Sequence, residues 1–217
     1  MELNGKATFY FFPGSSSIFP HFLLYHCNIP FTPQAVDFND PSSLTSVNAK
    51  GQVPVLVLGD ITITENPAIV HAINLLAPDK HIFGHDPLEF IKVCEWLNWI
   101  SASLHAQAWS HFKRPFRFTT DQSEAGQAPV LAKATQNVLE RFARLERTLD
   151  EKGPWALGEK FTAVDVSLLP FFRLGKDVMK TDMEVYPKWG KIVGKLLEME
   201  AAKQAMSDEL AARKAMS

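Results

Sequence analysis

The chain has 217 residues, of which 46% are hydrophobic, and this length and composition suffice for one large domain or two small ones. Its 22 basic and 24 acidic residues nearly cancel, so the sequence lacks the overall charge that attracts nucleic acid or an anionic membrane. We therefore expect the partner to be a small molecule or another protein, and we expect neither nucleic acid nor a membrane.

The segment MELNGKATFYFF has no charged stretch followed by a long apolar core, and no later apolar run approaches a bilayer span. We expect a soluble, cytoplasmic protein. Cys27 and Cys94 form no CxxC or zinc-binding spacing, so the pattern predicts buried free thiols. His81 and His85 have no third ligand nearby and no HExxH occurs, so we expect no metal site.

The first third of the chain reads as strand, helix, strand, hairpin and helix. An apolar run starts at Ala7, a Pro-Gly-Ser loop follows, and IFPHFLLYHCN has helical spacing. PQAVDF reads as a second strand, and VLVL and ITIT flank Gly59-Asp60, which suits a two-residue hairpin turn. This order predicts a compact α/β domain with a parallel strand pair and a hairpin in one mixed four-stranded sheet.

The rest of the chain has helical patterns and no convincing strand. LEFIKVCEWLNWISASLHAQAW is apolar at helical spacing, and an amphipathic segment follows from about Gln127 to Leu149. Thr162 and Asp165 resemble a capping box at the start of a third helix, and residues 191–216 are helical in composition. We predict an α/β domain over residues 1–78, a linker over 79–87 and an all-α domain over 88–217.

Five segments, in the same order and at close to the same spacing, resemble the soluble glutathione transferases over essentially the whole chain. They are PGSSSIFPH, NAKGQVPVL, TENPAIV, EWLNWISASLH and FTAVDV. The chain is most similar to the bacterial beta class, with serine in place of that class's cysteine. The resemblance implies a thioredoxin-like N-terminal domain, an all-α C-terminal bundle, a homodimer, and glutathione as a cosubstrate.

For the opening of the third strand, the resemblance implies a backbone site for glutathione. Pro54 is then cis, and Val53 pairs with the cysteinyl backbone of glutathione like an added strand. Gln52 is placed near the γ-glutamyl end. The residues alone leave an alternative open, because most X-Pro bonds are trans and proline is common at the first residue of a strand.

Glu65 and Asn66 lie where a strand ends and a helix starts. A carboxylate and free backbone N–H groups together suit an α-amino acid, such as the γ-glutamyl end of glutathione. Alternatively, Asn66 is only the N-cap of a helix with Pro67 at its first position. Pro67 has no N–H, so the Asn66 amide is expected to replace a donor in the glutathione site.

Three serines open the first helix and are candidates for activating the glutathione thiol. Ser16 occupies the beta-class cysteine position, whereas Ser15 occupies the position used by serine-type classes, and Ser17 is assigned to the N-cap. A hydroxyl together with a helix N-terminus can lower the thiol pKa. Without the resemblance, the three serines predict only a polar loop.

Asn98 and His105 are seven residues apart, which places them on one face of a regular α-helix. By resemblance, Asn98 reaches the γ-glutamyl group across a dimer interface, and His105 is catalytic and faces the thiol. His105, Trp109 and Phe112 are the predicted acceptor-substrate pocket. Core packing is the alternative for these aromatic residues.

The predicted function is a detoxifying glutathione transferase that joins the glutathione thiolate to a small, largely apolar electrophile. A glutathione-dependent isomerase or lyase on the same fold is a second hypothesis. A non-enzymatic binding module that kept the fold is a third. The residues that line an acceptor pocket are generic and apolar, so the sequence names no particular electrophile.

Overall fold

A computed structural model of the chain describes residues 7–40 and 42–216. Residues 1–6, on which much of the expectation about an N-terminal leader depends, lie outside the described residues. Within the described part of the chain, no helix is both long and apolar enough to cross a membrane.

A four-stranded mixed sheet forms the N-terminal part. Its strands are β1 Ala7–Phe11, β2 Phe31–Ala35, β3 Val55–Leu58 and β4 Ile61–Thr64. Their spatial order is β2-β1-β3-β4, with β1 and β2 parallel and the other neighbours antiparallel. The predicted mixed four-stranded sheet, with a parallel pair and an antiparallel hairpin, is confirmed.

The turn and the edge of the sheet follow from local residue chemistry. Leu58 pairs with Ile61 across the two-residue turn, and Gly59 has a φ of 58°, which glycine adopts at no steric cost. The second strand begins two residues earlier than the predicted PQAVDF and ends at Ala35. Pro33 is tolerated inside β2 because β2 is an edge strand of the sheet.

Three helices accompany the sheet: α1 Ile18–His26, the short α2 Ser42–Thr45, and α3 Asn66–Leu76. α1 connects the two parallel strands. Pro20 lies in its first turn, where an N–H is not needed for the helix ladder.

The segment 79–87 is packed into the protein and is not a free connection. It overlaps a 3₁₀ turn at Pro78–Lys80, and Ile82 and Phe83 are buried. The Ile82 carbonyl also accepts a 2.8 Å hydrogen bond from the N–H of Ala163. The domain limits at residues 78 and 88 stay predictions, since one apolar core continues from the sheet into the helical part.

The C-terminal part is helical, and after β4 none of the described residues belongs to the sheet. Residues Ile100–Trp109 form a π-helix that continues the first of these helices. The tail predicted as helical is two helices, with Met199 between them in an extended conformation. The α-helices are α4 Pro87–Trp99, α5 Ser110–Lys113, α6 Glu124–Thr148, α7 Ala163–Asp177, α8 Pro187–Glu198 and α9 Glu200–Met216.

The two cysteines are free, but their burial differs. Cys27 is buried, as predicted. Cys94 is only half-buried. It lies on α4, and its Sγ is 3.6 Å from Nε2 of His71 on α3. The prediction of two buried thiols is therefore wrong for Cys94.

The predicted capping box at the start of α7 is confirmed. One oxygen of the buried Asp165 carboxylate accepts the Ala156 N–H at 2.6 Å, and the other accepts the Thr162 N–H at 2.7 Å. Burial raises the pKa of Asp165 to about 6, while these hydrogen bonds act in the opposite direction. Because its two oxygens accept N–H groups on both sides, the carboxylate ties α7 to the preceding loop.

We expect Asp165→Asn to lower the free energy of unfolding by about 1–3 kcal/mol, because an amide has one acceptor for two buried N–H groups. Urea unfolding at pH 7 measures the difference. Asp121→Asn is the matched control, since the Asp121 carboxylate accepts a backbone N–H at the surface. Equal stability of the wild type and Asp165→Asn would contradict this account of the cap.

Candidate active site

A small cleft opens where the sheet-containing part of the chain meets the helical part. Its walls come from the serine loop and α1, the start of α3, the end of α4 with the π-helix, and α7. Apolar side chains surround a few hydroxyl, amide and imidazole groups, as in small-molecule sites. The lining residues are Ser16, Phe19, Asn66, Pro67, Leu97, Ile100, Ser101, His105, Ser167, Pro170 and Phe171.

The three serines of the loop have different surroundings. The Ser17 hydroxyl is buried and donates to the Phe12 carbonyl at 3.2 Å. The Ser15 hydroxyl lies 2.6 Å from the Ser17 hydroxyl and accepts the Ser17 N–H at 3.2 Å. Ser16 alone of the three lines the cleft. Ser17 holds the N-cap position as predicted, but its hydroxyl makes no capping hydrogen bond.

Asn66 faces Ser16 across the cleft. Its Nδ2 donates to Oγ of Ser16 at 3.3 Å. Glu65, and not Asn66, is the N-cap of α3, so the alternative that Asn66 is only an N-cap is wrong. Asn66 and Pro67 are the first two helical residues, and Glu65 precedes them with a φ of 72°, a conformation that is uncommon for glutamate.

The Glu65 carboxylate is exposed and pairs with Lys50, whose Nζ lies 2.7 Å from Oε1. The same Nζ donates to Oγ1 of Thr64 at 2.8 Å. No sequence motif points to Lys50, although the hairpin register provides a signal. Since Val55 pairs with Thr64, residues shortly before Val55 lie near residues just after Thr64.

The segment leading into β3 carries the other predicted glutathione-binding residues. The Val53–Pro54 peptide bond is cis, as the resemblance implied. Gln52 is exposed, and its carbonyl accepts a 2.8 Å hydrogen bond from Nδ2 of the buried Asn48. Gln52, Val53 and Pro54 do not line the cleft, but they lie at the end of the hairpin that also carries Glu65.

The predicted alignment of Asn98 with His105 is wrong in its geometry. The seven-residue rule assumes a regular α-helix, but residues 100–109 form a π-helix, in which each hydrogen bond spans one more residue. His105 lines the cleft, whereas Asn98 is exposed and does not line it. Leu97 and Ser101 lie on the cleft side instead.

Trp109 and Phe112, predicted for the acceptor pocket, lie outside this cleft. Trp109, the last residue of the π-helix, is buried in the core, and its ring packs against Phe112 at 5.2 Å between centroids. Phe19 and Phe171 supply the aromatic surface of the cleft. Phe171 lies in the segment FTAVDVSLLPFF, whose pattern predicts the start of a helix but no site residue.

The surroundings of His105 favour the neutral form of its imidazole. Burial lowers the pKa of its imidazole, the positive charge of Arg114 lowers it further, and the negative charge of Glu65 acts in the opposite direction. The ring lies 5.9 Å from that of Phe171, in an edge-to-face arrangement. A neutral imidazole in this cleft can accept a proton or a hydrogen bond.

Among residues 7–40 and 42–216, no group of three or more His, Cys, Asp or Glu side chains is arranged to hold a metal ion. The His81 and His85 rings stack at 4.2 Å between centroids. The polar groups that line the cleft are hydroxyl, amide and imidazole groups.

Known proteins resemble this chain over nearly its whole length. Glutathione S-transferase GstA of Escherichia coli O157:H7 is 28% identical over 204 residues, which are 91% of this chain and 96% of that protein. A sphingomonad glutathione S-transferase solved with glutathione is 26% identical, with a TM-score of 0.78 and coverage of 93% and 98%. A beta-class enzyme of Sphingomonas chungbukensis is 25% identical, with the same TM-score and coverage. No protein-family model matches the chain.

We expect the pKa of His105, followed by NMR, to lie below the usual value of about 6.5. Arg114→Gln should raise this pKa by removing a positive charge, and Glu65→Gln should lower it. Because the folded pKa is depressed, His105 should reduce stability as the pH falls below 6.5. Arg117→Gln is the control, and a His105 pKa at or above 6.5 would contradict this account.

Proposed function

We propose that this chain, a homologue of the glutathione S-transferases in sequence and fold, joins the thiolate of glutathione to a small, largely apolar electrophile. One observation carries the proposal: Ser16 presents its hydroxyl to a cleft that combines apolar side chains, among them Phe19 and Phe171, with an imidazole whose pKa is lowered by burial. Such a cleft suits a reaction in which a sulfur anion meets an apolar partner away from bulk water.

In this proposal, Ser16 donates a hydrogen bond to the thiolate. Lowering a thiol pKa by about two units takes roughly 2.7 kcal/mol of preferential stabilisation. A hydrogen bond to an ionised group contributes about 1.5–3 kcal/mol, and the nearby N-terminus of α1 adds about 0.3–1 kcal/mol. Ser15 is the weaker candidate, because its hydroxyl is already engaged with Ser17.

The peptide backbone of glutathione would lie along the end of the β3–β4 hairpin. Val53 would pair with its cysteinyl residue, and Gln52 and Glu65 would contact its γ-glutamyl end. The exposed Lys50–Glu65 pair contributes little to stability, so it can open when a ligand ammonium replaces Lys50. The uncommon backbone of Glu65 supports this placement, because such conformations cluster at ligand sites.

His105, Phe19 and Phe171 would contact the acceptor substrate. The two rings supply an apolar surface, and the neutral imidazole faces the same space as Ser16. In this proposal, the acceptor pocket lies nearer α1 and α7 than the pocket that the sequence predicts around Trp109 and Phe112.

We also propose a homodimer. Asn98 is exposed on α4, and a groove between α4 and α6 is lined by Trp96, Trp99 and Leu145 together with Glu95, Arg144 and Thr148. The two tryptophan rings in this groove suit burial by a second copy of the chain, which would let Asn98 reach the partner's glutathione. Light scattering that gives a monomer would remove Asn98 from the site.

Ser16→Ala should raise the pKa of the bound glutathione thiol toward its free value and slow conjugation at pH 6.5 by on the order of 10- to 100-fold. The thiolate absorbance, titrated against pH at saturating glutathione, measures the pKa directly. Ser15→Ala is the matched control and should change it much less. A large rise of the thiol pKa in Ser15→Ala, with no change in Ser16→Ala, would contradict the assignment of Ser16 as the thiolate donor.

A further inference from the structure

We infer that Asn66 is a positioning residue that couples bound glutathione to the orientation of the Ser16 hydroxyl. The inference rests on the proposed function. It differs from a simple ligand contact, because Asn66 would act on the thiol through Ser16.

The first support is the hydrogen bond between two helix starts that are far apart in the sequence. Asn66 is the first residue of α3, and its Nδ2 donates to Oγ of Ser16 in the loop before α1. Both side chains line the cleft. In this contact, the Ser16 oxygen accepts a hydrogen bond from the Asn66 amide. The hydroxyl proton of Ser16 therefore remains available to another acceptor.

The second support is the carbonyl oxygen of the same Asn66 side-chain amide. Oδ1 of Asn66 is buried and meets no hydrogen-bond donor among the described residues. Buried amide oxygens normally have a donor, so this one calls for a partner. Glutathione carries N–H donors in its amide bonds and its ammonium group, and a donor placed at Oδ1 would satisfy it.

These two observations together define a switch in hydrogen bonding. In the opposite amide orientation, Oδ1 would accept the Ser16 proton, and that proton would be lost to the sulfur. A ligand N–H at Oδ1 favours the orientation in which Nδ2 faces Ser16. Glutathione binding would therefore direct the Ser16 proton toward the thiolate.

The test is the pKa of the bound glutathione thiol, measured by thiolate absorbance at saturating glutathione in four proteins: wild type, Asn66→Ala, Ser16→Ala and the double variant. Asn66→Ala should raise the pKa by about half a unit to one unit, a three- to tenfold loss of thiolate below the pKa. In the Ser16→Ala background, the same substitution should change the pKa little. Asn74→Ala, on the same helix but outside the cleft, is the matched control.

Asn66→Asp sharpens the test, because aspartate keeps the size and the acceptor but loses the donor. Ser16 would then donate to the carboxylate, so the thiol pKa should rise more than in Asn66→Ala. The added negative charge should raise the thiol pKa both with Ser16 and in the Ser16→Ala background. Only the additional rise in the protein that keeps Ser16 supports the inference.

Two results would overturn the inference. In one, Asn66→Ala weakens glutathione binding but leaves the thiol pKa unchanged, which makes Asn66 a ligand contact alone. In the other, Asn66→Ala raises the pKa equally with and without Ser16. Failure of the wild type to bind millimolar glutathione is a different result, which refutes the proposed function and the inference with it.

Discussion

The burial of helix α1 is the constraint on which the candidate site depends. Every residue from Ile18 to Leu24 is buried, and the helix contacts β1, α3, α7 and α9. Each large apolar side chain enclosed in this way contributes about 1.5–3 kcal/mol. Because α1 cannot shift without opening the core, the loop that leads into it holds Ser16 at a fixed place in the cleft.

The last helix of the chain secures the same loop from the other side. The buried Glu209 carboxylate accepts the Gly14 N–H at 3.1 Å and pairs with Arg173 at 2.9 Å. Its neighbour Asp208 lies 3.0 Å from Nε2 of His21, a buried residue of α1. Removing one partner of a buried ion pair typically costs about 3–5 kcal/mol, so α9 is part of the support of the site.

Local chemistry in the sequence was sufficient for the strands, the turn at Gly59 and the capping box at Thr162, because neighbouring residues determine these features. It was insufficient for features that depend on contacts between residues far apart in the sequence. The link from Glu209 to Gly14 joins opposite ends of the chain, and the choice among three serines depends on which hydroxyls turn inward. The π-helix leaves no distinct signal in apolar spacing, so the predicted placement of Asn98 and His105 on one helix face was wrong.

The most direct test of the central claim, that Glu65 beside this cleft holds the γ-glutamyl end of glutathione, is titration calorimetry of glutathione into the wild type, Glu65→Ala and Glu200→Ala. Glu200 is the control, because it is an exposed carboxylate on α9 that pairs with a lysine. We expect the wild type and Glu200→Ala to bind alike, and Glu65→Ala to lose about 2 kcal/mol, or about thirtyfold in affinity. Equal binding by all three proteins, or no binding by the wild type at millimolar glutathione, would contradict the account.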